Sequence, residues 1–429
     1  MPTKKFCVLL LPLAFFAAAI HAADSEDGDR ESGKVDWKLS AQLRLRGEAR
    51  DNLDLDDSVD DDLRFWLSRI RLGVEMTLEK DWGLFIQAQD SRIFGQEAST
   101  SANTQNLDLH QGYADLWKNR TWSLRLGRQE WNYGDQRLIG PLDWSNVGRS
   151  FNGARVRFKH DKFVADGLLA ELSNQPNGTG GSTGSQFYAL WVQNDAASRI
   201  HWEGYWLELA DHVDMAGELG APGTTRIDAV GGRGVYRVDR WDVELQGVYE
   251  GGRVDGDSLD AVAASLIGGY TFLHGGGRRT NVFGGYDFAT GDQDPADGKR
   301  EEFFNFFPGS QHKYYGYMDL FGWRNIRSYY GAAKYMWSRH ALQAKLHQFS
   351  LESARGPWKA GSGAILGFDP TGQSGRDVGW EFDLTYNWAF RENAGLQANY
   401  SIFEPGRFAK STRGPDTQYW AYLMLTLGF

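Results

Sequence analysis

Basic side chains recur at every second position in several segments of this 429-residue chain, each time opposite an apolar face. Arg44 and Arg46 alternate with Leu43 and Leu45, and Arg69 and Arg71 with Ile70 and Leu72. Arg125 stands opposite Trp122, Leu124 and Leu126, while Arg155, Arg157 and Lys159 stand opposite Val156 and Phe158. Lys334 opposes Tyr335 and Trp337, and Lys345 with His347 opposes Leu342, Ala344 and Leu346. A row of guanidinium groups attracts anions and offers paired donors to carboxylates. Glu75, Asp242, Glu244, Glu381 and Asp383 share the basic faces, so a ladder of ion pairs that only stiffens the structure is the alternative for any one arginine.

Period two is the signature of a strand with two unlike faces, and such strands must be arranged so that the basic faces meet. Trp37, Leu39, Ala41, Leu43 and Leu45 make one face of the first segment, and about 18 such segments use up the chain. Aromatic residues are 14% of the total with 17 Trp, yet mean hydropathy is -0.51 and no run past residue 22 could cross a bilayer as a helix. A closed membrane barrel reconciles these facts, because only alternate residues face lipid and aromatics collect at both interfaces. The gaps between segments alternate between short and long. Among the short ones are Asn119-Arg120, Asp239-Arg240, Ser338-Arg339 and Phe390-Arg391; among the long ones are Gly95 to Asn106, Trp131 to Ser150, Ser173 to Gly184, Asp211 to Thr225, Gly251 to Asp257 and Thr290 to Asn325. The expected fold is therefore all-β, an 18-stranded antiparallel transmembrane β-barrel with short periplasmic turns, long extracellular loops and a lumen lined by the basic faces. Tyr419 to Phe429 alternates to a terminal aromatic, as the closing strand of such a barrel does.

Lys4 and Lys5, the apolar run Phe6 to Ile20 and His21-Ala22-Ala23 read as a secretory signal, residues 1–22, leaving 23–429 as one barrel domain in the outer membrane of a Gram-negative-type bacterium. Cys7 is the only cysteine and lies within that signal, so disulfide and thiol chemistry are excluded from the mature chain. A net charge of -10 disfavours nucleic acid as a partner. Expected partners are outer-membrane lipid and lipopolysaccharide, the barrel assembly machinery and periplasmic export proteins. No cofactor is expected. The cluster Asp54, Asp56, Asp57, Asp60, Asp61 and Asp62 lacks the turn glycine of a calcium loop and reads as a solvated acidic loop. None of the nine histidines sits in a nucleophile motif, so an outer-membrane hydrolase is the weakest reading.

The stretch Gly127-Arg128-Gln129 followed by Tyr133-Gly134-Asp135-Gln136-Arg137-Leu138-Ile139-Gly140 and Asp143-Trp144-Ser145-Asn146-Val147-Gly148-Arg149-Ser150-Phe151 resembles the alginate-export porins. Asn152 stands where that family carries an acid, and Lys313 to Ile326, with Arg324, resembles a second family block. The resemblance implies an arginine-lined constriction that passes a polyuronate, with a long loop across the lumen. It carries Arg128, Arg137 and Arg149 into the candidate site beside Arg44, Arg46, Arg69, Arg71, Arg125, Arg155, Arg157, Arg324, Lys334 and Lys345. Strict alternation puts Arg128 with Leu126 on the lipid side, so either Gly127 marks a bulge or Arg128 stands above the membrane. A general or neutral-carbohydrate porin is the alternative function. The aromatics of Thr290 to Asn325, Phe303 to Tyr317 above all, predict that this 36-residue segment folds into the lumen.

Overall fold

The computed structural model describes residues 35–95, 107–118, 120–176 and 182–429. The signal segment 1–22, Asn119 and the middles of two expected loops, 96–106 and 177–181, lie outside the described residues. The chain runs as β1 (Val35–Asp51), β2 (Leu63–Leu78), β3 (Trp82–Phe94), β4 (Leu107–Leu116), β5 (Trp122–Gln129), β6 (Phe151–His160), β7 (Phe163–Pro176), β8 (Ser182–Asn194) and β9 (Ile200–Ala216). It continues as β10 (Pro222–Val238), β11 (Trp241–Val254), β12 (Asp257–Leu273), β13 (Arg279–Ala289), the two-residue β14 (Lys299–Arg300), β15 (Ile326–Trp337) and β16 (His340–Ser350). A small hairpin of β17 (Trp358–Lys359) and β18 (Ile365–Gly367) precedes β19 (Asp377–Arg391), β20 (Ala394–Pro405) and β21 (Gln418–Gly428). Two short helices, α1 (Gln311–Tyr315) and α2 (Arg407–Thr412), sit in loops.

Leaving aside β14, β17 and β18, eighteen strands remain, each antiparallel to its neighbours, and β21 pairs with β1 from Gly428 on Gln42 to Tyr419 on Asp51. The sheet is thereby closed, and no strand keeps an open edge. On one face of β1, β3, β5, β9, β11 and β19, Trp37, Trp82, Trp122, Trp202, Trp241 and Trp388 stand exposed near the short-turn end. They form the aromatic girdle at one membrane interface, below a wall of leucines, isoleucines and valines. The short turns hold their strands through left-handed residues such as Asp161, Asp239 and Ser338, which match the twist of two-residue hairpins.

Some expected gaps differ, among them Ser173 to Gly184, since β7 runs to Pro176 and β8 starts at Ser182. Strands β9 and β10 extend until only residues 217–221 separate them, and β11 and β12 until only Asp255 and Gly256 remain. Glycine and acid content disguised these as long loops, whereas the ladders carry on through Gly223, Gly251 and Gly252. The turn expected at Phe390-Arg391 falls instead at 392–393, since β19 runs to Arg391. Protease added to intact cells should cut in residues 52–62, where Val59 is exposed, and near Phe368, and should spare Asp239-Arg240. Cutting at Asp239-Arg240 would invert the topology.

Candidate pore site

Strand alternation delivers Arg44 and Arg46 of β1 and Arg69 and Arg71 of β2 to the barrel interior, and Arg44 and Arg69 are cross-strand partners. Four like charges side by side require counter-groups, and the loop 130–150 supplies them. It folds inward so that Arg44 donates to the Ser145 carbonyl at 2.6 Å and Arg46 to the Trp144 carbonyl at 2.9 Å. Arg69 pairs with the Asp143 carboxylate at 2.7 Å, and Arg71 reaches both Asp143 at 3.3 Å and Glu130 at 3.2 Å. Burial would raise the Asp143 carboxyl, but Arg69, Arg44 and Arg71 outweigh it and hold it below the usual range. Gly148, at φ 78°, permits the approach, because a Cβ there would meet the Arg71 guanidinium at 2.6 Å. Arg46 also lies over the Trp144 ring at 4.2 Å and pairs with Glu48 at 2.7 Å.

Arg137 lies at the centre of a second seat. It is fully buried, paired with Asp135 at 2.8 Å and with Asp287 of β13 at 2.9 Å, and donates to Ser265 of β12 and to the Tyr315 hydroxyl of α1. The Tyr314 ring lies 3.7 Å from its guanidinium carbon. Around it the segment 290–325 packs into the lumen as expected, with Phe303, Tyr315, Phe321 and Trp323 all buried. The wall holds this segment by its backbone. Lys345 donates to the Lys313 carbonyl at 2.8 Å, and Glu381 accepts from the Met318 amide at 3.0 Å. Gly316, at φ 87°, is needed here, since a Cβ would strike the Glu381 carboxylate.

The other sequence-predicted residues divide. Arg125 is paired with Asp115 and Arg157 with Asp166, each at 2.7 Å. Arg155 and Lys334 face inward with no ion pair among the described residues. Arg128 does not face the lumen. The β5–β6 ladder continues through Gly127 without a bulge, and Arg128 bonds Asn152 and the Leu109 carbonyl on the outer face at the strand's upper end. The acids of residues 54–61 serve their own turns, Asp61 accepting from the Leu53 and Asp54 amides, and no three potential metal ligands cluster among the described residues.

Between the inward loops and the β1–β2–β21 wall lies a cavity of about 820 Å³, within the size range of ligand pockets. Five arginines border it: Arg46, Arg50, Arg149, Arg324 and Arg413. Arg46 and Arg50 share Glu48, whose oxygens lie 2.7 and 2.8 Å away. The other three have no carboxylate within ion-pair distance among the described residues. Arg149 donates to the Pro308 and Gly140 carbonyls, Arg413 to those of Leu53 and Leu366, and the Arg324 Nε is buried without a partner. Burial with no counter-ion draws Arg149 down to about 10, which leaves it charged at neutral pH. His312 borders the cavity too, and burial beside Arg46, Lys313 and Lys345 lowers it to about 3, so it is neutral. Asp319 is the lining acid without an ion pair among the described residues; burial raises it to about 7 against the pull of Arg50 and Arg46. Arg50 and Arg413 were not foreseen. Arg50 continues the period of Arg44 and Arg46 and was legible, whereas Arg413 sits in a loop with no period to reveal it.

A family model described as alginate export matches residues 36–422, nearly the whole described barrel. The chain belongs to the alginate export family. Among solved structures, this family member is similar to Pseudomonas aeruginosa OccK3 (OpdO), at 13% identity and TM-score 0.61, over 92% of this chain and 96% of that one. Pseudomonas aeruginosa OccK9 (OpdG) matches at 13% and 0.62, and OccK2 (OpdF) at 11% and 0.62, each over 92% of this chain and 98% of the other. At such identities the likeness shows a shared fold, the closed 18-stranded outer-membrane barrel. No curated protein matches the chain. Family and fold together support a channel in the outer membrane.

Proposed function

We propose that the chain is a passive channel through which an anionic polysaccharide or oligosaccharide, alginate or another polyuronate, crosses the outer membrane. The observation that carries this reading is the trio Arg149, Arg324 and Arg413, which border this cavity with no carboxylate partner among the described residues. A polyuronate carries one carboxylate per sugar along an extended chain, so its passage needs donors in series that exchange readily. Arginines held by backbone carbonyls suit this, because their orientation is fixed while their charge is left unneutralised. Arginines already bound to acids, such as Arg125 and Arg157, have less to offer a passing anion.

Reversal potentials in planar bilayers test the reading, with uronate oligomers and neutral maltodextrins as competing blockers. Anion preference and block by uronates are expected, with Arg149→Ala weakening that block about tenfold, the loss of roughly one charge-assisted hydrogen bond. Arg125→Ala, whose partner is Asp115, should change it little. Cation preference, or block by maltodextrins alone, would remove the polyuronate reading. A neutral-carbohydrate channel would then stand, favoured by the rings of Phe65, Trp144, Phe306 and Trp420 on the same lining.

A further inference from the structure

The segment that fills the lumen is tied down at its root, and the tie is built from more acids than it has cations. Directly after β13, residues 292–300 lie across the tips of two hairpins, β9–β10 and β11–β12. Lys299 and Arg300 pair in parallel with Ser258 and Leu259 of β12. Glu218, at the β9–β10 tip, has a side chain 2% exposed that accepts from the Gly298 amide at 3.1 Å. Asp257 accepts from the Glu218 amide at 2.7 Å. Arg300 reaches Asp257 at 3.2 Å, Glu218 at 3.5 Å and Asp255 at 3.8 Å.

Asp292 completes the group. It is 6% exposed, and its carboxyl is in hydrogen-bonding contact with that of Glu218. Three carboxyl groups, Glu218, Asp255 and Asp257, thus meet one guanidinium, and Asp292 adds a fourth beside Glu218. Two carboxylates cannot hydrogen-bond each other, so this contact needs a proton on one of the pair; the buried Glu218 Oε1 makes no hydrogen bond among the described residues and has only the Arg300 Nε near it, at 3.5 Å. The charges on neighbouring elements do not relieve this. Arg355 is 3.9 Å from Asp294, Glu352 takes the Gly291 amide and is paired with Arg327, and Glu301 accepts from the Gln293 amide.

We propose that Asp292 holds a proton against the Glu218 carboxylate and forms an acid latch, which holds the root of the lumen-filling segment on the barrel rim and releases it when the proton is lost. Burial and the neighbouring Glu218 raise Asp292 to about 7, against about 3.9 for a freed aspartate. The seated state therefore binds the proton more tightly than the released one. Seating is strongest in acid, weakens as the pH rises from about 4, and has lost the whole contribution above about 7. One proton gives at most a tenfold change in the released-to-seated ratio per pH unit in that window.

The latch does not depend on what the channel carries, so it is tested in potassium chloride alone. Single-channel records of the full-length protein between pH 4 and 8 should show open-state excursions becoming more frequent up to about pH 7 and then levelling. Asp292→Asn mimics the protonated acid and Glu218→Gln removes the charge that it faces, so each should hold the channel at its acid behaviour throughout. Asp319→Asn, which removes the other acid raised to about 7, should leave the pH profile of these excursions in place. A flat wild-type profile, a profile unchanged in both Asp292→Asn and Glu218→Gln, or one abolished only by Asp319→Asn would overturn the latch. Uronate block measured on the same channels reports on the proposed substrate independently.

Discussion

Arg137→Ala should lower stability by on the order of 3–5 kcal/mol, read as a shift in the unfolding midpoint of detergent-solubilised barrel. The guanidinium is completely buried and joins the loop 130–150, helix α1 and strands β12 and β13. Its removal leaves Asp135 and Asp287 buried beside each other with no cation, and Tyr314 loses the charge that stacks on its ring. That uncompensated charge is most of the effect, since the energy of a buried pair is small compared with the penalty of breaking it. A double variant, Arg137→Met with Asp287→Asn, should therefore recover much of the loss. If Arg137→Ala unfolds within about 0.5 kcal/mol of wild type, the size of an ordinary surface change, the two loops are held by their apolar contacts alone.

Replacing residues 303–321 by a short glycine-serine link should raise single-channel conductance several-fold. An 18-stranded barrel without an internal plug encloses a wide aqueous channel. Here its section is taken up by Phe303, Phe306, Tyr314, Tyr315, Leu320 and Phe321, which pack against wall residues including Ile227, Ala263 and Phe349. The same deletion would leave Lys345, Glu381 and Asp287 facing water, which costs little because the lumen can hydrate them. Arg149 would lose the Pro308 carbonyl with the segment but keep that of Gly140, so weak anion preference should survive. Unchanged conductance would place the segment outside the conducting path.

The strands, their inward and outward faces and the closing strand were legible because period two leaves one register that turns leucines such as Leu45, Leu126 and Leu245 to lipid. Loop length was less legible. Gly251 and Gly252 read as a break, yet they sit in an unbroken ladder, where glycine is tolerated because both neighbours pair with it. The inward direction of Arg44, Arg46, Arg69 and Arg71 was also readable, but not what they meet there. The carbonyl of Asp143 that Arg44 binds lies 99 residues away, and alternation along one strand carries no information about a loop that folds back onto it. For the same reason Arg149 and Arg324 could be reached only through the family resemblance, and Arg413, bound to the carbonyls of residues far off in the chain, by no local pattern at all.

Trp144 rests between the two ends of the sheet. Arg46 of β1 stacks on it, and Trp420 and Tyr422 of β21 meet its edge at ring separations of 6.1 and 5.1 Å. This seat exists only after the final strand has joined the initial one, so the inward loop must dock late in assembly. Until then, the four arginines of β1 and β2 repel one another across an unfinished wall. Docking also fastens the two ends from inside, which makes Trp144 a staple across the join: in Trp144→Ala the barrel would still zip up, but would reopen there first.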